Sequence, residues 1–493
     1  MAQKQATQGK RQTARLPLLG PLYNRGHNPD KDQRFLNAFP ETVKTQVLDN
    51  TKISIHKRPG LVEFCNVAPD GEGRGLIWFN SALWCIIANK LYRVSSDGLN
   101  VTEKYTFTTS TGTADIHACN SSTVGDSLFI VDGIEGLVVK DDDSVTKITD
   151  VNFPTPHRPS ITFLDGYVVL AKGSDVYTCL VNDPFTWPTS DYLTAEQFPD
   201  PVISLARQNN QIIVFGSMST EFFYDAANAA GSPLNRNDAG VIQIGIAAPS
   251  VVYQNEQFCM FVGQSESGGR AVWKIDGFKP TKISDEYIER IIDAEGDMSG
   301  CHGYGLRTMG HLFFLINLPK NNRTIVYDTD EKLWHEWSSF RLGATPHDTD
   351  AEHHIFDYNH VADAGLGYAY MLSSVTGDIY KVDPNYYKDE NDPIQVLIRT
   401  NKYDMDTYNR KFPSSARVVG DRYTKEQNNY VFLSWSDDDY ETWSNEKVIE
   451  LTDDFPAFQR LGSFRRRAWR ITHDLPLPLR LESLEVIYEE GTS

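Results

Sequence analysis

The feature that most constrains the fold is a unit of strand, tight turn and strand that recurs from Leu76 to about Asp383. It begins with Ile77-Trp78-Phe79, Leu83 to Ile87 and Leu91 to Val94, followed by Ser127 to Val131 with Gly136 to Val139. Tyr167 to Ala171 with Val176 to Leu180, Ile212 to Phe215 with Glu221 to Tyr224, and Cys259 to Val262 with Ala271 to Ile275 continue it. Leu312 to Ile316 with Thr324 to Tyr327, and Tyr368 to Leu372 with Asp378 to Val382, complete it. Short apolar runs broken by Gly, Asp, Asn or Ser turns are the mark of antiparallel hairpins. Successive second strands lie about 40 to 55 residues apart, the period at which four-stranded propeller blades recur. Radial repetition of such sheets leaves each exposed edge short. The expected fold is mainly β, with a β-propeller of about seven blades over residues 61–390. The repeats carry no Gly-His or Trp-Asp mark, so a stacked sandwich assembly also satisfies the pattern.

The rest of the chain reads differently. Residues 1–60 form an N-terminal basic arm and docking segment, in which Lys4, Lys10, Arg11 and Arg15 stand among Gln, Thr, Gly and Ala. Such an arm is either a mobile solvated tail or a segment that orders against an acidic neighbouring subunit. Leu16 to Pro21 is a proline-bounded apolar piece expected to lie across another surface. After the polar stretch Tyr386 to Pro393, strand signals change to Gln395 to Arg399, Ala416 to Val419, Tyr430 to Ser436, Lys447 to Leu451, Arg466 to Thr472 and Leu481 to Tyr488. They predict a C-terminal antiparallel β-sandwich over residues 391–493. Within the repeats, Ser284 is expected to cap a short helix with Asp285 and Glu286 in its first turn and Ile288, Ile291 and Ile292 on one face.

Charge and composition narrow the function. A net charge of −19 argues against a surface that grips nucleic-acid phosphates, because such surfaces gather Lys and Arg. The same charge suits a wall along which DNA slides without sticking. Six widely spaced cysteines with no Cys-x-x-Cys pair read as buried free thiols. No run reaches the roughly 18 apolar residues of a membrane span, and no apolar region follows the basic N-terminus as in a secretion signal.

Constellations that could carry chemistry are few. Ser436-Asp437-Asp438-Asp439-Tyr440-Glu441-Thr442-Trp443 is close to the Asp-box of sialidase-like propellers, with Tyr440 in place of Gly. That motif is a hydrogen-bonded turn and performs no chemistry itself. His347, Asp348, Asp350, His353, His354, Asp357 and His360 offer metal-ligand types at irregular spacing, which reads as a loop touching a neighbour or as a bridging metal site. Gly263 to Gly269 lacks the Lys-Ser/Thr of a phosphate loop and joins two strands, so it reads as a hairpin loop. Arg465, Arg466, Arg467 and Arg470 form the one concentrated basic patch outside the arm. They fit a charge-paired face between subunits, a solvated strand or a nucleic-acid contact. No catalytic, cofactor or metal residues are assigned, and no cofactor is expected.

One ordered set of signals adds a resemblance. Pro199-Asp200, Val214-Phe215-Gly216-Ser217 with Glu221, Gly245-Ile246-Ala247-Ala248-Pro249-Ser250, Ile283-Ser284 and Ile288-Glu289 follow one another over about a hundred residues. Asn37 to Pro40 before Arg58-Pro59-Gly60, Val326-Tyr327-Asp328 before Trp334, and Gly462 to Arg470 extend it. Together they resemble the packaged-DNA stabilization proteins, also called tail hubs or nozzles, of short-tailed double-stranded DNA phages (podoviruses). The resemblance implies a structural virion protein of the tail that is not an enzyme and is assembled in the host cytoplasm. It implies a homohexamer docked below the head-to-tail adaptor on the portal, which extends the DNA channel, retains packaged DNA and takes part in DNA ejection. Tail fibre or spike proteins and a plug or needle would be its other partners. Double-stranded DNA would pass through without sequence-specific binding. Lys4, Lys10, Arg11, Arg15, Arg465, Arg466, Arg467 and Arg470 are the candidate subunit or adaptor contacts. The alternative is a carbohydrate-binding or sialidase-like propeller protein.

Overall fold

Alternating apolar and turn residues produce short antiparallel strands throughout, with one α-helix, Glu286–Glu295, among the described residues. The computed structural model describes residues 11–19, 33–44, 51–67, 71–195, 198, 200–266, 268–339, 354–365, 367–424, 428–452 and 456–492. They fall into two units, the larger comprising Val62–Thr329 and Ile355–Val382, the smaller Met1–Leu61, Asp330–His354 and Asp383–Ser493.

The larger unit is a succession of small antiparallel sheets. Strands Gly73–Phe79, Ala82–Ile87, Lys90–Ser95 and Val101–Thr106 form the first, and Asp115–Ser121, Gly125–Val131, Gly136–Val139 and Val145–Lys147 the second. The third holds Ile161–Leu164, Tyr167–Lys172, Asp175–Thr178 and Tyr192–Thr194; the fourth holds Val202–Gln208, Gln211–Gly216, Thr220–Asp225 and Leu234–Arg236. In the fifth, Gly245–Ile246 and Val252–Gln254 both pair with Cys259–Ser265, which leads on to Gly268–Asp276 and Lys279–Lys282. His302–Thr308, His311–Leu318 and Arg323–Asp328 belong to the sixth. In the seventh, Tyr358–Asp363, Ala369–Ser373 and Ile379–Asp383 are joined by Gly60–Cys65, a strand that precedes the first sheet in sequence.

Each predicted hairpin is the middle of one of these sheets. The middle strands read as continuous apolar runs because both of their faces are covered: Ala82–Ile87 and His311–Leu318 are buried at every residue. Trp84 and Ile86 pack with Leu128, Ile130 and Val139 of the next sheet, and Phe129 and Val131 with Val168 and Leu170 of the one after. Leu83 and Cys85 of the first sheet meet Leu372 and Ile379 of the seventh in the same way. Each fully buried side chain of this size contributes about 1.5–3 kcal/mol by leaving water. The first strands of successive sheets also pack side by side in chain order, and that of the seventh packs against that of the first.

The smaller unit gathers strands from distant parts of the chain. In one sheet Arg480–Glu490 pairs with Lys411–Gly420 on one side and with Arg11–Pro17 and Thr51–Lys57 on the other; Ala457–Gln459 and Ala38–Lys44 extend it. In its other sheet the order is Leu333–Trp337, Arg34–Leu36, Val396–Arg399, Ala468–His473, Tyr430–Ser436 and Lys447–Glu450. Leu16, Ile55, Val418, Leu484 and Val486 from the first of these sheets share one buried core with Phe35, Ile398, Leu433, Trp469 and Ile471 from the second.

Two local expectations change. Residues 11–17 are a strand of this chain's own sheet, because Leu16 and Leu18 are core residues and the alternation around them matches the facing strand. The helix is capped by Asp285, whose carboxylate accepts from Ile288 N at 2.9 Å. Ser284 is occupied elsewhere: its hydroxyl accepts from Val272 N at 3.0 Å and donates to Glu289. The helix face carries Ile288, Ile291 and Ile292, as read from the sequence. All six cysteines are free and buried, and burial pushes Cys119 up to about 11 and Cys179 up to about 12.

Candidate functional site

The residues of the central signature interlock in the larger unit. The Asp200 carboxylate accepts from Met218 N at 2.7 Å, from Ser219 N at 3.2 Å and from the Ser219 hydroxyl at 3.0 Å, closing the turn after Phe215-Gly216. The Gly245 backbone lies directly on this turn, where a Cβ would sit 2.2 Å from the Ser217 carbonyl carbon, so only glycine fits. Glu221 pairs with Arg236 at 2.7 Å, and the Ser204 hydroxyl donates to Pro249 O at 3.0 Å. The Asp200 and Glu221 bonds hold the fourth sheet in shape, the Ser204 bond and the Gly245 contact tie it to the fifth, and the signature is structural.

The flanking signal Asn37 with Arg58-Pro59-Gly60 forms a buried network in the smaller unit. Asn37 holds a left-handed backbone (φ 55°) and its amide donates to Ser338 Oγ and Gln395 O. The Arg58 guanidinium donates to Asn37 Oδ1 at 2.8 Å, to Ser338 O at 3.0 Å and to both carboxylate oxygens of Asp389. Lys57 beside it donates to Leu475 O at 2.6 Å and meets His473 Nδ1 at 3.3 Å. Burial, aided by the Arg58 charge, brings Lys57 down to about 7.

The C-terminal arginines divide into two pairs. Arg467 is buried, forks onto Asp437 with two 2.7 Å bonds, and lies over Phe464, Trp435 and Trp469. Arg470 is also buried, bonded to Ser434 Oγ at 2.9 Å and stacked over Trp443. Arg465 and Arg466 face outward, Arg465 with its guanidinium 5.7 Å from the Tyr408 ring. Tyr408 is 70% exposed and Phe412 50%, and Arg410 reaches Ser463 beside them. This aromatic and basic surface escaped the sequence reading, although Tyr408, Arg410 and Phe412 alternate along the chain there; Lys411 between them is buried. Of the arm residues, Arg11 and Arg15 pair with Glu489 and Glu482 of the last strand, while Lys4 and Lys10 lie outside the described residues.

The Asp-box-like segment is a folded turn. Asp438 accepts from Thr442 Oγ1, from Thr442 N at 3.0 Å and from Ser436 Oγ at 2.9 Å, which holds its carboxyl at about 2. Tyr440 adopts φ 68° where the motif has Gly; its ring is buried and its hydroxyl donates to Thr400 O at 2.9 Å. Of the His- and Asp-rich stretch, His347, Asp348, Asp350 and His353 lie outside the described residues. Among the described residues His354, Asp357 and His360 do not come together at metal-ligand distances, and His360 is among the residues lining the interior of the larger unit.

That interior holds a cavity of about 380 Å³ lined by the first strands of six of the seven sheets and by Pro159 and Ser160, which lead into that of the third. Small residues let the strands approach there: a Cβ on Gly305 would lie 2.2 Å from the Tyr253 ring. A wider open groove of about 1070 Å³ is lined by Arg207, Tyr224, Glu256 and Phe278 among others. No helix of the described residues is long and apolar enough to cross a membrane.

Among solved structures the chain is similar to the WD40 repeats of RRP9, at 10% identity and TM-score 0.41 over 66% of this chain and 99% of that one. The Neurospora crassa Pan2 WD40 domain is similar at 8% identity and TM-score 0.40, over 67% and 97%. PorZ of Porphyromonas gingivalis is similar at 12% identity and TM-score 0.38, over 83% and 53%. No curated protein matches the chain. The model of the family described as Bacteriophage P22 Gp10, beta-propeller, matches residues 18–376. That span covers well over half of the chain and contains the interlocked signature, so the protein belongs to this phage stabilization family and is a structural, tail-associated, non-enzymatic component of the virion.

Proposed function

We propose that this chain is the tail hub, or nozzle, of a short-tailed phage: a homohexameric ring, assembled in the host cytoplasm, that docks below the head-to-tail adaptor on the portal. It extends the DNA channel, retains packaged DNA, and carries fibre or spike and plug or needle proteins. The observation that carries this reading is the family match over residues 18–376. The larger unit is then a seven-bladed propeller. Support comes from seven first strands that pack in chain order, six of which line one cavity, and from Gly60–Cys65 completing the seventh sheet. The smaller unit is a β-sandwich, supported by two sheets around one core.

Attachment in this reading is charge-guided. The chain carries −19 overall, so an outward basic surface is the exception and marks where another acidic subunit fits. Arg465 and Arg466, with Arg410, Tyr408 and Phe412 around them, supply it; Arg and exposed aromatics are the side chains that dominate protein interfaces. Lys4, Lys10, Arg11 and Arg15 would add to it from the arm. The buried Arg467 and Arg470 hold the surface in shape from beneath. The acidic remainder gives DNA nothing to grip.

The test is native mass measurement of the purified chain, alone and mixed with its phage's portal and adaptor complex, followed by particle imaging. A six-fold ring on the adaptor supports the reading, and Arg465→Glu with Arg466→Glu should weaken ring formation. A monomer that ignores the adaptor and binds glycans on an array overturns it.

A further inference from the structure

The open groove of about 1070 Å³ lies across one end of the third, fourth and fifth sheets. Much of its lining comes from turns and strand ends that antiparallel order brings to that end: Asp165 of the third sheet, Asn209 and Tyr224 of the fourth, Glu256 and Phe278 of the fifth. Arg207 fixes the floor by bonding to three sheets at once. Its guanidinium donates to Phe163 O of the third sheet at 2.9 Å and to Asn209 O of its own at 3.0 Å, and its backbone N–H donates to the Gln254 side-chain oxygen of the fifth. The Asn209 N–H donates to Glu256 O at 3.1 Å. The groove is therefore formed in advance, and a ligand does not have to order it.

Three groove residues use one end of a forked side chain for such bonds and leave the other open. Arg207 keeps Nη2, Gln254 keeps its amide NH2, and Asp225, whose Oδ1 accepts from Ala227 N at 2.8 Å, keeps its second carboxylate oxygen. None of these atoms is closed off from solvent. Two rings share the lining: Tyr224 and Phe278 are each 39% exposed, and Phe278 is propped edge-on against Phe222 at 5.0 Å.

Fixed donors and acceptors beside open aromatic faces are what a sugar requires. Each sugar hydroxyl both donates and accepts, so neighbouring hydroxyls pair with forked guanidinium, amide and carboxylate groups. The C–H face of the sugar packs on an aromatic ring, whose negative face attracts it. Other ligands fit worse. Asp165, Asp225 and Glu256 outnumber the one guanidinium, which repels phosphate, sulfate and carboxylate groups. An apolar ligand would strip water from these charges without replacing it. The volume, at the top of the roughly 300–1,000 Å³ range of small-molecule pockets, has room for linked rings.

We propose that this groove binds a neutral oligosaccharide stretch of a cell-surface polysaccharide, with sugar rings packed on Tyr224 and Phe278 and hydroxyls bonded to Arg207, Gln254 and Asp225. A tail component meets the host envelope, where such polysaccharides lie. Copies of the groove in one virion would hold a repeating polymer far more tightly than a single copy. The groove belongs wholly to the larger unit, and the proposal does not rest on the hub reading.

The experiment uses the full chain and two probes: an array of neutral, sialylated and sulfated oligosaccharides, and the delipidated envelope polysaccharide of the phage's host. Neutral saccharides should bind and acidic ones should not. Tyr224→Ala and Phe278→Ala should each weaken binding by about three- to tenfold, while Tyr408→Ala in the smaller unit leaves it unchanged. Saturation-transfer NMR on the unmutated chain needs no variant to fold: irradiating aromatic resonances should saturate sugar C–H protons. Ring formation on the adaptor is scored separately, so failure of this proposal and failure of the hub reading are told apart. Absence of binding to both probes, preference for acidic glycans, binding untouched by loss of both rings, or capture of oligolysine in place of saccharide overturns the proposal.

Discussion

The two units are built from the same kind of strand but by opposite connections. In the larger unit nearly every pairing joins neighbours in sequence, as in Ile212 to Phe223 or Phe313 to Asp328. In the smaller unit Arg11 pairs with Glu489, Arg34 with Arg399, and Arg58 reaches Asp389. Local pairing leaves its pattern in any short window of sequence, whereas distant pairing must be specified by side chains that recognise one another after the chain has closed long loops. The larger unit therefore repeats equivalent apolar layers, while the smaller one adds to its apolar core buried polar contacts between residues far apart in the chain.

The most severe way to break this contrast is Arg58→Ala. It strands the Asp389 carboxylate in the interior, and loss of one partner of a buried ion pair costs about 3–5 kcal/mol. Hydrogen exchange should accelerate in Ala468–His473 of the smaller unit and stay slow in Gln211–Gly216 of the larger. Equal acceleration in both would mean that the two units do not differ in this way.

Lys57 gives a pH signature confined to the smaller unit. Its folded value of about 7 lies below the ordinary 10.5, so the unfolded chain binds the extra proton between these values. Stability should consequently rise with pH over that window, by about 2 kcal/mol from pH 7 to 9, and be flat from this source below 7. Comparing denaturant unfolding of the unmutated chain with Lys57→Met at both pH values isolates the effect, which the variant should lack.

In the larger unit the sharpest single test is Gly245→Ala, where the added methyl meets the Ser217 backbone. Overpacking of this kind costs about 1–3 kcal/mol, and exchange should quicken in the fourth and fifth sheets while the smaller unit keeps its protection. Smallest is Ser436→Ala, which removes the acceptor for Tyr440 N and should cost about 1 kcal/mol. Its readout is a modest shift in the smaller unit's unfolding midpoint, with no change in assembly.

The sequence displays the same asymmetry. The hairpins of the repeats were legible because their apolar runs and turns are contiguous; Ile212 to Phe215 with Glu221 to Tyr224 falls inside Gln211–Gly216 and Thr220–Asp225. The C-terminal strands were legible one by one, as Tyr430–Ser436 was, but the sheet partners of Arg480–Glu490 were not. Nothing local in Arg11–Pro17 announces a partner at residue 489, and its basic character looks like a tail until Leu16 and Leu18 are seen in the core. The arginine run was visible, but strand geometry decides which of its members face outward, and that surface is completed by Tyr408 and Phe412 from another strand's approach.

The central claim is that this structural tail protein keeps packaged DNA inside the head. The most direct measurement is DNA retention by heads filled in cells that lack this chain, with and without the purified protein added back. The account predicts heads that lose their DNA alone and hold it once the protein is supplied, with a lower yield for Arg465→Glu and Arg466→Glu together. Heads that keep their DNA equally well without the protein would contradict it.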